Sequence, residues 1–207
     1  GSTATVTLTN LARSNADMNT LVDGITYSNS SEAPGTDTRV ITMTQLVDSG
    51  ANNNTSALSI GSSVKVSAVN DAPTATNLTQ TAKYNDNDAT VALNDIVVTD
   101  VDGNDTVTAT LTLSNSGAGN LTTGTFGSAT SPFTNGVWTV TGSVTDVNSA
   151  LADVAFQPTA GWTQDTSITT KIRDAADTGP TNGSITLDVT DVTAPTVSSI
   201  VRQSPST

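Results

Sequence analysis

Several stretches of the chain alternate apolar with polar residues: Thr90–Thr99, Thr106–Leu113, Val137–Thr141, Ser167–Ile172 and Ser184–Val189. A period of two puts every second side chain on one face, so each stretch predicts a half-buried strand. A further alternating strand is expected over Thr5–Asn10. One stretch breaks the pattern. Thr145–Asp153 has no Gly or Pro, opens on a good capping residue and carries Val147, Ala150 and Leu151 at helical spacing. That spacing predicts a single short helix crossing between sheets. The fold class expected is all-β, an antiparallel β-sandwich with Greek-key connections.

The pattern also repeats. Asn19–Tyr27 lines up without a gap on Asn148–Phe156, and Arg39–Asp48 matches Ser167–Asp174 with a small indel. Both copies close alike, one as Val69-Asn70-Asp71-Ala72-Pro73-Thr74 and the other as Asp191-Val192-Thr193-Ala194-Pro195-Thr196. The two Ala-Pro pairs set a repeat of about 120 residues, near the size of one β-sandwich. Residues 1–71 then read as the back half of one such domain and 72–193 as a complete one. Residues 194–207 read as a linker and the first strand of a following immunoglobulin-like domain. A half sandwich leaves strand edges and an open core, which a second copy of the chain or the C-terminal strand could cover.

Composition narrows the chemistry. Against 7 basic residues stand 19 acidic ones, a formal charge of −12. Duplex phosphates need clustered Lys and Arg, so nucleic acid is not an expected partner. Anionic lipid is disfavoured likewise, and no apolar run approaches membrane-spanning length, so no membrane insertion is expected. Glu32 is the only glutamate among 18 aspartates. Aspartate is a turn former and a compact oxygen ligand. About a fifth of the residues are Thr, which suits short strands joined by tight turns. There is no Cys and no His, which excludes disulfides, thiol chemistry and His-based triads. Nothing in the chain would activate a serine, and no apolar pocket with sugar platforms is evident for a carboxylate pair. The chain reads as non-enzymatic.

The Asp100, Asp102, Asp105 cluster invites two readings. One is a calcium loop, in which Gly103 permits the turn and carboxylates at odd spacing converge on one point. The other is a solvated Asp-Gly turn, for which such dipeptides are common. Asp174 and Asp177 lie in a predicted hairpin loop, 173–183, at the same end as Asp100. Trp138 shares strand parity with Val140 and is expected in the core. Trp162 is expected to pack rather than to stack on sugar.

Together, Val69–Thr74, Asp100-Val101-Asp102-Gly103, Asn148–Phe156 with Pro158, and Ile172-Arg173-Asp174 resemble bacterial cadherin-like tandem repeats. Such repeats occur in very large surface adhesins, outer-membrane and RTX-type among them. The resemblance covers nearly all of 72–193 and the back half before it. It implies calcium at junctions between domains. Carried over, Asn70 and Asp71 fall on the linker position, and Asp100 and Asp102 on the Asp-x-Asp of the following domain. Asp86 and Asp88 fall near the base position, facing a second junction with Asp191. That base has Asp where the family favours Glu, and the second linker has Val192-Thr193 in place of Asn-Asp, so calcium is expected first at the Asn70–Asp71 junction. The resemblance further implies an extracellular, cell-surface extender stiffened by calcium, with neighbouring domains of the same chain as partners. The alternatives are a module that binds a cell-surface glycan or protein, and an accessory domain of a secreted hydrolase.

Overall fold

The computed structural model describes residues 5–8, 14–47, 54–103 and 105–195. The chain divides into two compact units, Gly1–Val69 and Asn70–Thr207.

The first unit holds one helix, α1 (Asn15–Asp23), and one antiparallel hairpin, β1 (Arg39–Val47) with β2 (Thr55–Val64). Ser14 caps α1: its hydroxyl accepts the Asp17 N–H while the Asp17 carboxylate accepts the Ser14 N–H, a reciprocal capping box. Among the described side chains of this unit, every one is exposed or only half-buried. The strand expected over Thr5–Asn10 does not form at 5–8, which takes no regular secondary structure; residues 9–10 lie outside the described residues.

The second unit is β-rich. Its strands are β3 (Thr74–Ala75), β4 (Gln80–Asn85), β5 (Val91–Ala92), β6 (Val98–Thr99), β7 (Thr106–Leu113), β8 (Gly119–Leu121), β9 (Thr125–Phe126), β10 (Ala129–Thr130), β11 (Phe133–Thr134) and β12 (Val137–Ser143). After the helix α2 (Val144–Asp153) come β13 (Ala155–Pro158), β14 (Thr166–Arg173) and β15 (Gly183–Thr190). A six-stranded sheet runs in the order β11-β12-β7-β14-β15-β4 and a three-stranded one in the order β5-β13-β8, with the small pairs β3-β6 and β9-β10 beside them. The expected alternation appears directly as burial, for example in β7, where Val107, Ala109, Leu111 and Leu113 are buried and the threonines between them are not. These side chains join Val140, Ile168, Ile172 and Leu187 from the same sheet, Val91, Leu121 and Phe156 from the other, and α2 in one core.

Helix α2 forms where the period changes from two to 3.6. Ser143 caps it by accepting the Asp146 N–H at 3.1 Å, and Val147, Ala150 and Leu151 turn inward. Trp138 is fully buried as expected, its indole N–H donating to the Thr122 carbonyl at 2.9 Å.

Two features depart from the expected antiparallel pattern. The stretch Thr90–Thr99 is not one strand but β5 and β6, which pair with different partners, β13 and β3. The six-stranded sheet is mixed, because β4 runs parallel to β15 with Gln80 opposite Ile185 and Asn85 opposite Thr190. The reason lies in the connections: β4 is the first strand of this sheet in chain order and β15 the last, so parallel pairing lets the chain enter the sheet at one end and leave it at the other. The expected strand after Ala194-Pro195 lies outside the described residues.

Candidate metal site

The turn between β6 and β7 gathers carboxylates because its backbone is folded by the aspartates themselves. Asp100 Oδ1 accepts the Asp102 N–H at 2.9 Å, an Asx turn, and the Asp105 N–H donates to the Asp102 carbonyl at 2.8 Å. One carboxylate oxygen from each of Asp100, Asp102 and Asp105 then lies within 4.8 Å of the others. Asp100 Oδ2 is buried and has no hydrogen-bond partner. A buried polar atom left unpaired is costly, and a buried carboxylate oxygen more so.

The segment that leads into the second unit is tied to the same end. The Asp71 N–H donates to Asp102 Oδ2 at 2.6 Å, and the Asn70 side-chain amide donates to Asp174 Oδ2 at 2.9 Å. Pro73, two residues on, is buried. Asp174 is the anchor of the β14–β15 loop. Its Oδ1 accepts the N–H groups of Ala176 (2.9 Å) and Thr178 (2.8 Å), and its Oδ2 accepts the Thr178 hydroxyl. Burial alone would raise the Asp174 pKa, but the hydrogen bonds from Asn70, Thr178 and Ala176 outweigh it and hold the group at about 2. Asp174 is therefore a filled carboxylate that orders its surroundings. Asp177 points elsewhere, to Lys171 Nζ at 3.5 Å.

Asp105 shifts the other way. Burial raises its pKa first, and the negative charges of Asp102, Asp100 and Asp174 raise it further. The local field at this end thus disfavours another negative charge and favours a cation.

The remaining candidates sit at the opposite end of the six-stranded sheet, beyond the last residues of β4 and β15. Asp86 is buried; it accepts the Val192 N–H at 2.9 Å and the Thr193 hydroxyl. Those two bonds lower its pKa against the effect of burial, the Thr193 bond most. Asp191 accepts the Thr193 N–H at 3.0 Å, and Asp88 closes its own turn by accepting the Asn85 N–H at 2.7 Å. Asp86 and Asp191 line one shallow cleft with Gly161 and Thr163; Asp88 is not part of it. Asp86 therefore strings the 191–193 segment onto the sheet with hydrogen bonds.

The sequence pattern gave no sign of Thr178 or Thr193, hydroxyls that fill these carboxylates, because in a Thr-rich chain nothing distinguishes them. Asp174 stood out in the sequence as a loop aspartate at the Asp100 end and as part of Ile172-Arg173-Asp174, but not as a carboxylate filled by hydrogen bonds. Trp162 is half-buried against the core, and its indole N–H donates to the Gln164 carbonyl at 2.6 Å. Among the described residues no helix is long and apolar enough to cross a membrane. Neither a protein-family model nor a curated protein matches this sequence.

Proposed function

We propose that residues 72–193 form a Greek-key β-sandwich of the cadherin-like kind and that the chain is a calcium-stiffened extender of a bacterial cell-surface adhesin, working outside the cell and linked end to end with neighbouring domains. The observation that carries this reading is the partnerless, buried Oδ2 of Asp100 within a trio of converging carboxylates. A hard divalent cation supplies what that oxygen lacks. Calcium takes about 6–8 oxygens at roughly 2.3–2.6 Å and tolerates irregular cages, whereas magnesium demands a tighter octahedron. Asp100, Asp102 and Asp105 would hold it, with the Asp71 carboxylate as the nearby addition from the linker.

The role of the ion is mechanical. Asp102 already accepts the Asp71 N–H, so drawing the trio together fixes the Asn70–Pro73 segment to the end of the repeat. Without metal, the acids repel and that segment is held by the hydrogen bonds of Asn70 to Asp174 and Thr178 and of Asp71 to Asp102, with Pro73 buried beside them. Opposed points of arrival and departure along the mixed sheet suit a domain that is strung in series. An affinity of about 10⁻⁴–10⁻³ M fits an extracellular module.

The test is a thermal melt of the chain in chelator, in millimolar calcium and in millimolar magnesium. Calcium is expected to raise the midpoint of the second unit, magnesium to do so less, and Asp100→Asn to erase the difference. A midpoint indifferent to calcium sinks the proposal.

A further inference from the structure

Strand β4 is an edge of the six-stranded sheet, and β15 is its one neighbour there. The two run parallel, from Gln80 opposite Ile185 to Asn85 opposite Thr190. Chain arriving from Asn70 therefore reaches one end of this seam, and chain departing past Asp191 leaves from the other. Tension along the chain pulls the start of β4 against the end of β15. The ladder bonds run between the strands, so a pull in that direction loads all of them at once. Pulling the two strand starts apart would instead open the ladder one pair at a time.

Further bonds lengthen the seam at both ends. At the entry, the Thr170 hydroxyl donates to the Leu78 carbonyl at 2.9 Å, and the Ser184 N–H donates to the Thr79 hydroxyl at 3.4 Å. At the exit, the Asp86 N–H donates to the Thr190 carbonyl at 3.1 Å. The Asp86 carboxylate then accepts the Val192 N–H at 2.9 Å and the Thr193 hydroxyl. Asp86 is only 2% exposed, so water competes poorly for these bonds. Within the seam Tyr84 is buried and meets the Phe156 ring of the other sheet edge-on, with centroids 5.7 Å apart. Sliding β4 along β15 would drag that ring out of the core. Lys83 and Asp188 also face each other across the seam at 3.4 Å, but both are exposed, and such pairs contribute little.

We infer that the second unit bears tension: the β4–β15 seam is a shear clamp, and Asp86 with Val192 and Thr193 is the latch that load meets first on the C-terminal side. The use of such a clamp in an extender rests on the proposed function, whereas the clamp itself needs no calcium. Forced unfolding follows the unfolding rate rather than the equilibrium stability. The latch therefore matters more under load than in a melt.

The experiment is single-molecule pulling of the full chain in chelator. The chain has no cysteine, so thiol handles can be placed freely, and Val69 and Thr181 are both exposed. In one geometry the handles are Val69→Cys and a cysteine added after Thr207, which loads the seam along its length. In the other they are Val69→Cys and Thr181→Cys, which draws the starts of β4 and β15 apart. At equal force the second unit is expected to survive about tenfold longer or more in the first geometry. Thr193→Val, which keeps the side-chain shape and removes the hydroxyl, is expected to shorten that lifetime about threefold or more and to leave the second geometry unchanged. Asp86→Ala is expected to shorten it further. Equal lifetimes in the two geometries overturn the inference, as does an effect of Thr193→Val that is absent or of the same size in both. Because both arms are free of calcium, failure here leaves the calcium site standing, and a melt indifferent to calcium leaves the clamp standing.

Discussion

At the scale of single residues, two aspartates at one end of the second unit titrate in opposite senses, and each sense makes a prediction. Asp174 is held at about 2, below its ordinary 3.8, by donors that survive only in the fold. Its stabilising contribution is therefore complete above pH 3.8 and is lost as pH falls from there towards 2. Asp174→Asn should flatten the melting midpoint across that window and lower it at neutral pH, because the Asn70 and Thr178 donors lose a charged acceptor. Asp105 is raised by burial and by its acidic neighbours, so its ionised form opposes folding at neutral pH and protonation relieves it. Asp105→Asn should raise the midpoint in chelator while reducing the gain from calcium. A midpoint that drops in chelator would show that the carboxylates do not repel there.

At the scale of elements, short-range pieces depend on close backbone approach and on side-chain amides. Gly119 of β8 has no room for a methyl: a Cβ there would lie 2.3 Å from the Gln157 carbonyl and 2.7 Å from the Phe156 ring. Gly119→Ala should force β8 away from β13 at a cost of about 1–3 kcal/mol, read in chemical denaturation. Asn148→Ala should cost a similar amount, about 1–3 kcal/mol, since it strands the Val98 N–H and carbonyl. The hairpin β11–β12 turns on Asn135-Gly136, both at positive φ (52° and 81°), the backbone of a type I′ turn. That dipeptide is a strong hairpin signal, which alternation alone did not exploit.

At the scale of the whole molecule, the two units each carry a serine-capped helix and an antiparallel hairpin with very different amounts of core. The second buries a continuous cluster from two sheets and a helix, whereas the first leaves Val40, Val47, Ile60 and Ile25 more than half exposed and Leu21 and Val22 of α1 more than a third exposed. Little apolar area is removed from water in the first unit, so little offsets the entropy of ordering it. Calorimetry should show one cooperative transition, belonging to the second unit. Native-state exchange should give strong protection for Thr106–Leu113 and weak protection for Arg39–Val47. A second sharp transition from the first unit would contradict this account.

Much was legible in the chain itself. Alternation marked the boundaries of β7, β14 and β15 to within a residue, the change of period marked α2, and strand parity placed Trp138 inside. These are local patterns, imposed by the two sides of a strand or the one face of a helix. The Asp100, Asp102, Asp105 trio was legible for the same reason, since a single turn brings it together. Other features depend on residues a hundred or so positions apart. The parallel union of β4 with β15 follows from chain connections that no window of sequence contains. The tether of Asn70 to Asp174, the capture of Val192 and Thr193 by Asp86, and the unpartnered oxygen of Asp100 arise only when distant segments close on one another. Tertiary structure alone decided which carboxylates were already satisfied by hydrogen bonds and which still lacked a partner.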